Sequence, residues 1–105
     1  MAFYDEILEK VKDIDIGLVV LNAGVLHVGY YLNVENEKKQ SMLDTNCYQV
    51  GAMINKMLPV LTKRKSQSGI IAVSSVAANF VYSGNFLYSA TKAFVKYLCL
   101  AISTE

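Results

Sequence analysis

Ile16-Gly17-Leu18-Val19-Val20-Leu21-Asn22-Ala23-Gly24 carries the deciding pattern: an apolar, β-branched-rich run that begins after Asp15 and breaks at Asn-Ala-Gly. A short continuous apolar run without polar alternation is the signature of a strand covered on both faces, the environment of a parallel sheet. The pattern returns at Gly69-Ile70-Ile71-Ala72-Val73-Ser74, followed by a small-residue loop from Ser75 to Gly84. Between the two, from about Val34 to Thr62, Leu43, Cys47, Val50, Ile54, Met57 or Leu58, and Leu61 recur at intervals of three and four, as one face of a long helix requires. Pro59 is expected to bend or end that helix early. Two buried strands joined by a helix make one right-handed βαβ unit.

Outward from this unit, Phe3, Ile7, Leu8 and Val11 recur at helical spacing among charged residues, which predicts an amphipathic helix before the first strand. After the second strand, Asn85 is placed to cap a helix from Phe86 to Ser103, with Leu87, Ala90, Phe94, Leu98 and Ala101 on one side. Helix, strand, helix, strand, helix is a slice of an α/β doubly wound parallel sheet, with two strands where such sheets carry about five or six. Two open edges leave rows of unpaired backbone groups, so residues 1–105 read as one partial domain.

Composition narrows the function. With 53% hydrophobic and 18% charged residues, the 105-residue chain is too apolar for disorder and too short for a second domain. Ten basic against nine acidic residues give a net charge of +1, far from the positive field that nucleic acid requires. The apolar stretches 16–26 and 69–82 fall short of the roughly 18 to 20 residues that cross a bilayer, and the first residues are acidic where a signal peptide is basic. No membrane segment is expected. Cys47 and Cys99 read as buried, reduced thiols, and no residues stand at metal-ligand spacing. His27, alone in a loop, reads as lining a substrate or cofactor edge rather than binding metal. Lys63-Arg64-Lys65 reads as a solvated helix cap, and Met42, Met53 and Met57 as core or helix packing.

The chemistry lies further along. Tyr88 and Lys92 stand four apart and emerge from one helix face, where an ammonium favours the phenolate of its neighbour and prepares it for acid–base work. Ser75, thirteen residues before Tyr88, sits at the carboxyl end of the second strand, where ligands bind in this architecture, and offers a hydroxyl to a substrate carbonyl. Asn46 stands in the middle of the long helix.

Asn22-Ala23-Gly24 after a buried strand, a mid-helix Asn46, Ser74-Ser75 after a second strand and Tyr88-Ser89-Ala90-Thr91-Lys92 opening the next helix come in one fixed order. That order resembles the classical short-chain dehydrogenase/reductase family, over nearly the whole chain. The resemblance implies a Rossmann-type NAD(P)-dependent oxidoreductase that interconverts a carbonyl and an alcohol, with NADP favoured over NAD. Tyr88 would exchange a proton with the substrate oxygen. Lys92 would lower the Tyr88 pKa and hold the nicotinamide ribose, Ser75 would polarise the carbonyl, and Asn46 would position a water linking Lys92 to solvent. Asn22, Ala23 and Gly24 would brace the sheet beside the cofactor. Ser75 is preferred to Ser74 because the family's interval to the tyrosine is thirteen.

Asp15-Ile16-Gly17-Leu18-Val19, Leu58-Pro59 after Asn46, Lys63-Arg64-Lys65 before Gly69, and the stretch from Tyr88 to Val95 look most like the 17β-hydroxysteroid dehydrogenase and very-long-chain 3-oxoacyl-CoA reductase branch. Leu21-Asn22 stands where that branch has Asn-Asn, and Val76-Ala77-Ala78 replaces its usual small residue and glycine. The branch implies lipid-like substrates, and an endoplasmic reticulum surface as the alternative to the cytoplasm. The family's helices corresponding to the two long ones often pair across a dimer axis, which implies a homo-oligomer in the complete protein. The family's glycine-rich T-G-x-x-x-G-x-G cofactor turn has no counterpart in these residues. Its absence leaves a second expectation open: a truncated, inactive relative that acts as a binding or oligomerisation partner.

Overall fold

The computed structural model describes residues 2–81 and 83–105, so the apolar stretch that ends at Tyr82 is followed as far as Val81 and Tyr82 itself lies outside the described residues. The elements are α1 (Ala2–Val11), β1 (Leu18–Leu21), α2 (Asn36–Leu43), α3 (Gln49–Thr62), β2 (Gly69–Ala72) and α4 (Phe86–Ile102). β1 and β2 pair in parallel, Leu18 opposite Gly69 and Leu21 opposite Ala72. Successive strand residues point to opposite faces. Val19, Leu21, Ile70 and Ala72 therefore share the face on which Leu21, Val50, Ile54 and Val95 form the core with α3 and α4. Leu18, Val20, Ile71 and Val73 line the other face, and each is at least 40% exposed. The strands thus read as covered on both faces are covered on one among the described residues.

The long helix is present, but it changes pitch. Between α2 and α3 lies a five-residue π turn, Asp44–Tyr48. A π turn takes up more residues per turn than an α turn, so it shifts the phase of everything before it. The inward stripe is accordingly Met42, Asn46, Val50, Ile54, Met57 and Leu61, all buried, while Leu43 is exposed and Cys47 only half-buried. Pro59 lies inside α3 without ending it. In the last turn it removes a single donor, to the carbonyl of exposed Asn55, which solvent can serve.

α4 also departs from its pattern. Thr91, Lys92 and Val95 are buried, whereas Ala90, Phe94 and Ala101 of the expected stripe face outward, with Leu87 and Leu98 half-buried. The inner face is polar where it meets the strand ends, so apolar spacing there marks the outer face instead. Asn85 holds the cap position, but its side chain makes no capping bond; it borders a small hollow with His27 and Gly29. Cys47 and Cys99 are free and half-buried rather than buried, and burial pushes both thiols above their ordinary pKa.

At the amino ends of the strands, Arg64 is no solvated cap. Its Nε and Nη2 donate to the Asp15 carboxylate at 2.9 and 3.3 Å, and its Nη1 donates to the Gln67 carbonyl at 2.5 Å. The guanidinium lies over Gly17, where a Cβ would come within 2.9 Å of Nη1. Its hydrogen bond and charge hold the Asp15 carboxyl below the usual carboxylate range. α1 is fastened to α3 by an ion pair between Asp5 and Lys56.

Candidate active site

The carboxyl ends of β1 and β2 converge on the first turn and a half of α4. From β1 the chain leaves through Asn22, Ala23 and Gly24, all exposed. The next residue, Val25, is gripped on both backbone groups by the Asn46 carboxamide. Val25 N–H donates to Asn46 Oδ1 at 2.8 Å, and Asn46 Nδ2 donates to the Val25 carbonyl at 2.9 Å. The second amide hydrogen goes to Thr91 Oγ1 at 3.0 Å. Thr91 Oγ1 in turn donates to the Tyr88 carbonyl at 2.7 Å. Asn46 is fully buried and Thr91 is 1% exposed. The π turn presents Asn46 in the inward stripe, consistent with the tendency of such turns to mark functional positions.

Lys92, 5% exposed, extends from the same helix. Its Nζ donates to the Val73 carbonyl at 3.2 Å and lies 5.7 Å from the centre of the Tyr88 ring. Among the described residues no carboxylate pairs with it. An ammonium carries three hydrogens, so a nearly buried one with a single protein acceptor has directions left for a hydroxyl-bearing ligand or water. Gly24 keeps the approach open: a Cβ there would stand 3.1 Å from Lys92 Nζ and 3.4 Å from Asn46 Oδ1.

The two serines after β2 have different duties. Ser74 Oγ donates to the Lys92 carbonyl at 2.7 Å and ties the strand end to α4. Ser75 Oγ accepts from Ala77 N–H at 3.1 Å, which caps the short 3₁₀ turn Val76–Asn79. As an acceptor there, Ser75 keeps its own hydrogen for another oxygen.

Gly24, Asn46 and Lys92 are thus brought into one cluster with the Tyr88 turn, Ser75 stands at the end of β2, and Asn22 and Ala23 sit at the strand exit. Sequence reading missed Thr91, the Val25 backbone, the Val73 carbonyl and the tie from Ser74. The available signal for Thr91 was its hydroxyl at i+3 from Tyr88 and next to Lys92. His27 is half-buried in the loop beyond Val25. Among the described residues no group of His, Cys, Asp or Glu is placed to hold a metal, and no helix is long and apolar enough to cross a membrane.

The short chain dehydrogenase family model matches residues 1–105. The chain belongs to the short-chain dehydrogenase family. It is similar to a serine 3-dehydrogenase of Rhizobium radiobacter, 35% identical over 92 residues that cover 87% of this chain and 36% of that protein. It is also similar to a very-long-chain 3-oxoacyl-CoA reductase of Anas platyrhynchos, 31% identical over 97% of this chain and 34% of that protein. Among solved structures, the closed form of a serine dehydrogenase complexed with NADP+ superposes with a TM-score of 0.90 at 31% identity, covering 98% of this chain and 42% of that one. The chain therefore spans little more than a third of the length of these curated relatives.

Proposed function

We propose that this chain is the catalytic segment of an NAD(P)(H)-dependent oxidoreductase that interconverts a carbonyl and an alcohol, with NADP favoured. The observation that carries the reading is the buried Lys92 ammonium, open toward Gly24 and one helical turn from Tyr88. Lys92, with Tyr88 and the Asn22-Ala23-Gly24 exit, would hold the nicotinamide ribose. When bound, the nicotinamide supplies or accepts the hydride. Tyr88 Oη gives a proton to the forming alkoxide in reduction and takes it back in oxidation, with Lys92 Nζ 5.7 Å from the centre of its ring. Ser75 Oγ donates to the substrate oxygen and orients the carbonyl. Asn46 fixes the Val25 loop and sets a water that connects Lys92 to solvent.

We favour an apolar, lipid-like carbonyl as substrate. Loops on the site side expose Leu26, Val28, Leu32, Val76 and Val81, each 47% or more, and these suit an aliphatic ligand better than a hydroxy amino acid. The resemblance to the oxoacyl reductase branch points the same way. On this reading the protein works in the cytoplasm, or at the endoplasmic reticulum surface if the branch holds. The outer face of α4, with Phe94, Tyr97 and Leu100 exposed, would pair with a second copy.

The test places this chain in the matching position of the Rhizobium serine 3-dehydrogenase and measures NADP(H)-dependent turnover with aliphatic ketones and with serine. A hybrid that reduces ketones supports the reading. A folded hybrid that binds NADP+ but turns over nothing contradicts it.

A further inference from the structure

We propose that Thr91 is a positioning residue: its hydroxyl fixes the Asn46 carboxamide and so registers the Tyr88–Lys92 turn of α4 against the loop that leaves β1. The inference rests on the catalytic reading of Tyr88 and Lys92. A hydroxyl has one hydrogen and two lone pairs. The Tyr88 carbonyl takes the hydrogen at 2.7 Å, so the Thr91 oxygen faces Asn46 as an acceptor and calls for Nδ2, which lies at 3.0 Å. The Val25 backbone requires the same orientation, because its N–H needs Oδ1 and its carbonyl needs Nδ2. Three bonds from two separate elements therefore agree on one setting of a fully buried side chain.

That setting reaches the chemistry through short steps. Val25 follows Gly24, and Gly24 approaches Lys92 Nζ so closely that an added Cβ would lie 3.1 Å away. Loss of the Thr91 acceptor leaves a buried amide hydrogen without a partner, a penalty that turning or displacing the carboxamide can relieve. Either movement disturbs Val25 and, with it, the wall facing Lys92. Valine keeps the β-branched shape of threonine but removes the hydroxyl, whereas serine keeps the hydroxyl and gives up the methyl group. The two substitutions separate hydrogen bonding from packing.

The test has two readouts. On the 15N-labelled hybrid reductase, exchange of the Asn46 Nδ2 hydrogens is followed by NMR in wild type, T91V and T91S. T91V is expected to exchange about tenfold faster or more and to shift the Val25 amide signal, and T91S to stay near wild type. In the hybrid reductase, T91V is expected to lower kcat by about 10- to 100-fold with KM for NADP+ nearly unchanged, and T91S to restore most of it. Exchange and kcat left at wild-type levels by T91V would overturn the proposal, as would T91S failing as badly as T91V. A folded hybrid inert with Thr91 in place contradicts the catalytic reading alone, because exchange of the Asn46 hydrogens in that hybrid still decides the role of Thr91.

Discussion

The two ends of the parallel strand pair solve opposite problems. At the carboxyl end, Asn46, Thr91 and Lys92 are buried and held by neutral partners: three backbone carbonyls, a backbone N–H and a hydroxyl. At the amino end, Arg64 and Asp15 form an ion pair whose carboxylate stands in solvent, beside an apolar hollow of about 250 Å³ bordered by Ile54, Leu61, Ile70 and Cys99. Neutral hydrogen bonds in a buried setting fix geometry, because leaving any one unmade is costly. An exposed ion pair is screened by water and holds a loop without fixing it closely. The contrast assigns precision to the carboxyl end and fastening to the amino end, which is how open parallel sheets divide chemistry from stability.

The comparison breaks most severely at the buried carboxamide, which Asn46→Leu removes. It leaves the Val25 N–H and carbonyl without partners, and an expected loss of about 2–4 kcal/mol should appear in chemical denaturation.

Gly24→Ala sharpens the contrast rather than breaking it. The new Cβ presses on Lys92 Nζ, the end of a flexible side chain, so folding should change by less than about 1 kcal/mol while NADP+ affinity of the hybrid falls roughly tenfold in calorimetry. The amino end should respond least. Arg64→Ala is expected to lower Tm slightly, and the effect should shrink at high salt. Because the folded Asp15 pKa is depressed, its contribution is present above the ordinary carboxylate pKa and fades as pH falls through the lower folded value. A thermal scan from pH 6 down to pH 2, wild type against Arg64→Ala, should therefore converge at the acid end.

The sequence made the alternation of elements legible because two continuous apolar runs admit little besides buried parallel strands. It misled on phase. The π turn follows from no apolar spacing, so the inward stripe was displaced from Met42 to Leu43 and from Asn46 to Cys47. α4 misled for a related reason: near the strand ends its inner face is made of Ser89, Thr91 and Lys92, so the apolar stripe took in exposed Ala90, Phe94 and Ala101 and missed Val95, although Leu98 does pack on the core. Arg64 resembled a solvated cap because its partner Asp15 lies 49 residues earlier, beyond any local pattern. For the candidate site, the order of motifs along the chain pointed to Asn46, Ser75, Tyr88 and Lys92. The contacts that position them, through Thr91, Val25 and Val73, are set by the meeting of three elements and needed the fold.

The most direct test compares the two ends in one assay: turnover of the hybrid reductase carrying Tyr88→Phe against that carrying Arg64→Ala. Tyr88→Phe removes the proton carrier and is expected to reduce kcat by at least about 100-fold while NADP+ binding stays within a few-fold of wild type. Arg64→Ala should leave kcat within about twofold. Wild-type turnover in Tyr88→Phe, or equal losses in both variants, would contradict the assignment of chemistry to the carboxyl end.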